Sequence, residues 1–120
     1  MSPARILVVD DEPDIREALT TLLIQEGYEA MAASDGPAAL AVLKEFPCDL
    51  ILTDLNLPKM NGIEVLKRAK DRDPRISGIV ITGYATVETA IEAMKAGAYD
   101  YLLKPFNVSE VCLLIKRALE

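Results

Sequence analysis

One hundred and twenty residues make one ordinary domain, and a composition that is 51% hydrophobic but only 5% aromatic describes an aliphatic core able to order itself, which excludes intrinsic disorder. A formal charge of −6, from 19 acidic and 13 basic residues, repels phosphate backbones and argues against direct nucleic-acid binding by this segment. No His is present, which removes Ser-His-Asp triads, His general bases, His-ligated metals and phosphohistidine from consideration.

Two periodicities alternate along the chain. Ile6, Leu7, Val8 and Val9 form a short apolar run ending in Asp10 and Asp11. Ile15, Ala18, Leu19, Leu22 and Leu23 then recur at helical spacing, with Pro13 suited to the first turn and Gly27 to the stop. Residues 29–33 make a weaker strand candidate, followed by a short helix carrying Leu40 and Leu43. The next buried run, Leu50 to Thr53, ends at Asp54. A loop with Pro58 and Gly62 leads into a helix bearing Val65, Leu66 and Ala69. Ile79, Val80 and Ile81 give a fourth strand ending at Thr82, and Val87, Ala90, Ile91 and Met94 mark the helix after it, stopped by Gly97. A fifth strand lies within residues 99–103 and ends at Lys104-Pro105, and Val108, Val111, Cys112, Ile115 and Leu119 line one face of the last helix.

Short apolar strands alternating with amphipathic helices imply an α/β fold, a parallel sheet covered on both faces. Five such units leave two principal orders, restricted by right-handed crossovers; the expected one is a doubly wound five-stranded sheet of order 2-1-3-4-5, whose ligands sit beyond the carboxyl ends of strands 1 and 3. No linker or repeat interrupts residues 1–120, which read as one domain. The basic cluster Lys67, Arg68, Lys70, Arg72 and Arg75 alternates with acids and reads as a solvated face. Cys48 and Cys112 have no metal-ligand spacing and read as buried, reduced thiols, in keeping with a cytoplasmic protein. No apolar stretch is long enough to span a membrane, and the N-terminal residues show no signal pattern.

The fold would bring Asp10, Asp11, Asp54, Thr82 and Lys104 to one edge of the sheet. Crowded carboxylates repel unless a cation joins them, and without His or a metal-binding Cys pattern the natural cation is Mg²⁺, which takes oxygen ligands. Lys104 adds a fixed positive charge and Thr82 a hydroxyl donor, a set suited to a phosphoryl group carried on an acid. Singly, each residue has a plainer role: Asp10 or Asp11 capping the first helix, Asp54 as a turn residue, Thr82 capping the helix near Val87, and Lys104 as surface. Those roles leave the shared location unexplained.

The strings LVVDDEP, LTDLNLPKMNGIEVL, VITGYAT and GAYDYLLKPF resemble, in order and over the whole chain, the receiver domains of two-component response regulators. The resemblance implies that Asp54 accepts a phosphoryl group from a sensor histidine kinase. It implies that Asp10, Asp11, Asp54 and the backbone carbonyl of Asn56 hold Mg²⁺, that Thr82 bonds the phosphoryl group, and that Lys104 pairs with it. Tyr101 would be a switch aromatic answering to Thr82, its plainer role being a strand tyrosine packed under the final helix. Lys104-Pro105 would be a cis peptide. Such a domain is no enzyme beyond its own phosphorylation and dephosphorylation. It would signal through the face of helix 4, strand 5 and helix 5, by forming a homodimer or by contacting an output domain beyond Glu120.

The stretch from Ile81 to Phe106 looks most like the nitrogen-regulator class, which controls an AAA+ ATPase in transcription regulation. Tyr99 stands where the winged-helix class usually carries an Asp, a departure that speaks against that type of dimer. Three alternatives compete. A flavodoxin-like electron carrier needs a phosphate-binding loop after strand 1, where this chain has acids. A haloacid-dehalogenase-type phosphatase places its nucleophile on the first strand in an Asp-x-Asp pattern. A degenerate receiver used only for docking would not need the full set of acids, Thr and Lys.

Overall fold

The computed structural model describes residues 3–120, so the first two positions of the N-terminal stretch lie outside the described residues. Five strands and five helices alternate: β1 Arg5–Val9, α1 Pro13–Gln25, β2 Glu29–Ala33, α2 Gly36–Glu45, β3 Leu50–Asp54, α3 Gly62–Arg72, β4 Ser77–Thr82, α4 Val87–Lys95, β5 Asp100–Leu103 and α5 Val108–Leu119. All strand pairs are parallel and the sheet order is β2-β1-β3-β4-β5. The expected doubly wound order is the observed one.

The apolar runs are continuous because both sheet faces are covered. Ile6, Val8, Leu50, Leu52, Ile79 and Ile81 point to the side of α1 and α5, where they meet Leu19, Leu23, Val111 and Ile115. Leu7, Val9 and Ile51 point to the other side, against Ala39 and Leu43 of α2 and Val65 and Ala69 of α3. Local signals bound the helices as sequence chemistry requires. Pro13 opens α1, Asp35 caps α2 by accepting from Ala38 N at 2.8 Å, and Asn61 and Asn107 cap α3 and α5 in the same way. Gly27 and Gly97, at φ +94° and +95°, turn the chain out of α1 and α4 through a backbone region that costs other residues strain.

Several expectations need correction. The apolar face of α4 points outward: Val87, Ile91 and Met94 are 74%, 48% and 51% exposed, and Ala93 is the helix's one buried residue. Helical periodicity shows which side of a helix is apolar, but not that something covers it. Val108 is likewise exposed at the start of α5, and Cys112 is only half-buried. Ala18 faces solvent on α1. Lys70 of the basic cluster does more than solvate a face, since its ammonium donates to the carbonyls of Pro74 and Ile76. Among the described residues, no helix is long and apolar enough to cross a membrane.

Candidate functional site

β1 and β3 are neighbours on either side of the point where the strand order turns, so the residues ending them emerge side by side. Asp10 follows β1 and Asp54 closes β3, and they are only 1% and 5% exposed. Lys104 follows β5, two strand spacings or roughly 10 Å from β3, a gap that a long side chain can cross. Its ammonium lies 3.0 Å from Asp54 Oδ2, 3.2 Å from Asp10 Oδ2 and 3.5 Å from Glu12 Oε1. The Lys104–Pro105 peptide is cis.

Backbone N–H groups fix the two carboxylates further. The Asn56 N–H donates to Asp54 Oδ1 at 3.1 Å, and the Glu12 N–H donates to Asp10 Oδ1 at 2.9 Å. α3 begins hard against β3 because Gly62 has no side chain: a Cβ there would overlap the Asp54 carbonyl oxygen. Burial pushes the Asp54 carboxyl above its ordinary value, reinforced by the Asp10 charge, and the bonds from Lys104 and Asn56 pull it back only in part. At Lys104 burial works against the charged form, but the bonds and charges of Asp54 and Asp10 outweigh it and hold the ammonium above the usual lysine value. A carboxylate strained by desolvation therefore sits against a firmly charged lysine.

Thr82 ends β4 fully buried, and its hydroxyl is already engaged. It accepts from Tyr84 N at 3.0 Å and from the Asn56 side-chain amide at 3.2 Å, and lies 3.3 Å from the Tyr84 carbonyl oxygen. Thr86, not Thr82, caps α4, and Asp10 and Asp11 give α1 no side-chain cap, since Glu12 holds that position. Tyr101 is half-buried against the cluster of Leu55, Val80, Ala93 and Ala98, on the α4 side of the sheet rather than under α5.

Carboxylate oxygens of Asp10, Glu12 and Asp54 lie within 4.8 Å of one another, an all-oxygen set of the kind a hard cation takes. Asp11 is exposed and outside that group. Glu12 joins the carboxylate group in the place expected of Asp11. Its signal was available as the third acid of the Asp10-Asp11-Glu12 run, but which of those acids turns inward depends on how the chain leaves β1.

The response regulator receiver domain family model matches residues 6–116. The regulatory protein AtoC of Escherichia coli strain K12 is 41% identical over 116 residues, covering 97% of this chain and 25% of AtoC. The nitrogen assimilation regulatory protein NtrX of Azorhizobium caulinodans is 40% identical over 117 residues, covering 96% of this chain and 26% of NtrX. The solution structure of the beryllofluoride-activated NtrC4 receiver domain dimer superposes with a TM-score of 0.90 at 39% identity, covering 96% of this chain and 95% of that one. The chain thus spans about a quarter of the length of these curated relatives.

Proposed function

Because this chain belongs to the response-regulator receiver domain family, we propose that its two-component signalling role is carried by phosphorylation of Asp54. The observation that carries the reading is the buried Asp54 carboxylate held 3.0 Å from Lys104 at the switch point of the sheet. A carboxylate oxygen of Asp54 attacks the phosphorus of a kinase phosphohistidine, the P–N bond breaks, and its electron pair stays on the departing imidazole. Lys104 then faces the phosphoryl oxygens, and Thr82 turns its hydroxyl from Tyr84 toward them. The domain catalyses nothing beyond its own phosphorylation and dephosphorylation.

Asp10, Asp54 and the Asn56 carbonyl would hold Mg²⁺, with Asp11 or Glu12 adding an oxygen directly or through water. That donor set fits the ion because it is all oxygen and carries excess negative charge. Bound there, Mg²⁺ neutralises charge on the phosphoryl oxygens.

Residues 1–120 form the receiver of a longer cytoplasmic regulator of the nitrogen-regulator class, with an AAA+ ATPase output domain that acts in transcription. The exposed apolar side chains of α4, with Tyr99 and Leu103 beside them, would meet a second copy or that output domain when Asp54 is phosphorylated. The phosphatase alternative finds no support, since β1 ends in adjacent Asp10 and Asp11 and the best acceptor lies on β3. The test is incubation with a small acyl phosphate and Mg²⁺. One phosphoryl mass should appear, labile to hydroxylamine as a mixed anhydride is, and absent from Asp54→Asn. Equal labelling of that variant would refute the assignment.

A further inference from the structure

α4 is nine residues long with one buried side chain, so neither its length nor its packing holds it firmly, and its N-terminal cap carries weight. The cap is a reciprocal pair of threonines. Thr86 Oγ1 accepts from Thr89 N at 3.0 Å, and Thr89 Oγ1 accepts from Thr86 N at 3.2 Å. Glu or Gln usually fills the second position of such a box. A threonine there places a short hydroxyl close to the sheet, and the Tyr101 hydroxyl lies 2.7 Å from it.

The Thr89 hydroxyl is shared among several partners. A threonine hydroxyl has one proton and two lone pairs. Thr89 Oγ1 already accepts from Thr86 N and lies 3.1 Å from the Thr86 carbonyl, to which its proton can go. The Thr86 hydroxyl lies 2.9 Å away as well, so Thr89 Oγ1 meets the Tyr101 hydroxyl within a small hydroxyl network in which either oxygen of the pair can donate. One oxygen atom thereby joins the first turn of α4 to the aromatic residue of β5.

The same helix end is tied to the site. Only residues 83–85 separate Thr82 from Thr86, and Thr82 Oγ1 holds that loop by accepting from Tyr84 N. A Thr82 hydroxyl that turns toward a phosphoryl group on Asp54 releases the loop, and movement of the loop bears directly on the Thr86–Thr89 cap. We infer that Thr89 is a positioning residue, whose bond to Tyr101 holds α4 and the Tyr101 ring in the resting arrangement and so sets how readily the domain switches. This rests on Asp54 as the acceptor, and it acts through Tyr101 rather than on the phosphoryl group.

The test compares Mg²⁺–beryllofluoride affinity, by calorimetry or fluorine NMR, in the parent chain, Thr89→Val, Thr89→Ser, Tyr101→Phe and the Val/Phe double variant. A contact made only in the resting state lowers the apparent affinity of a ligand that selects the other state. Thr89→Val and Tyr101→Phe should each tighten binding by roughly threefold to tenfold, the worth of one net hydrogen bond. The double variant should tighten it no further than either single variant, and Thr89→Ser should match the parent. Tyr101→Phe leaves the α4 cap intact, so it remains informative if Thr89→Val folds poorly. A purely structural Thr89 would lower thermal stability and leave these affinities unchanged; that result, or independent effects that add in the double variant, overturns the inference. Failure of the parent chain to bind beryllofluoride at all would show separately that the Asp54 reading is wrong, and would overturn the inference with it.

Discussion

Replacing Lys104 with Met keeps the bulk of the side chain and removes the charge that two buried carboxylates face. At 3.0 and 3.2 Å, and an effective dielectric constant of about 20, each pair carries roughly 5 kcal/mol of gross attraction. Desolvating the ammonium offsets much of that, and breaking a buried pair typically costs about 3–5 kcal/mol because the partner is left uncompensated. The site opens to water on the side of the exposed Glu12, which favours the low end, about 3 kcal/mol. For a domain of this size that corresponds to a melting temperature lower by roughly 12 °C.

The loss should depend on pH. Asp54's carboxyl is raised in the fold, so ionising it there costs stability as pH rises through the carboxylate range. Without Lys104 that cost grows, and protonation relieves it. Lys104 itself, raised above the usual lysine value, contributes stability that is present below that value and lost only as pH rises through the raised one. The Lys104→Met deficit should therefore be large at neutral pH and shrink toward pH ~4, where carboxyl groups protonate. Added Mg²⁺ should recover part of it at neutral pH by mass action. Urea unfolding followed by circular dichroism suits a chain that has no Trp. A variant as stable as the parent at neutral pH, or one whose deficit does not change with pH, would refute this account of the site.

Asp35→Ala should cost about 1 kcal/mol through loss of the α2 cap. The Ala38 N–H bond holds the Asp35 carboxyl below its ordinary value, so its contribution disappears as pH falls through that lowered value, and the two unfolding curves should converge in acid. Ile91→Glu should change stability by no more than about 0.5 kcal/mol, because Ile91 is half exposed, while suppressing phosphorylation-dependent self-association in sedimentation. A loss of several kcal/mol would mean that α4 packs inward. Thiol labelling of the native protein should modify Cys112 well before Cys48, whose burial pushes its thiol up to about 12; equal rates would contradict the packing around Cys48.

The sequence alone determined the strands and the helices, because each is written locally, and right-handed crossovers narrowed the sheet to a few possible orders. Short apolar runs such as Ile6 to Val9, too brief for helices, read as strands buried on both faces, and Asp10, Asp54, Thr82 and Lys104 are legible as residues that end strands. What the tertiary structure decided lies between residues distant in the chain. Lys104 meets Asp10 across 94 positions because β1, β3, β4 and β5 lie in that order, and Glu12 rather than Asp11 joins the carboxylate group because of how the backbone turns after β1. The apolar stripe of α4 carries a core-like period, yet it faces outward because the helix meets the sheet through the small side chain of Ala93. The Tyr101–Thr89 bond was equally invisible in the sequence. A hydroxyl's partner is set by the approach of two elements, which no local pattern of residues encodes.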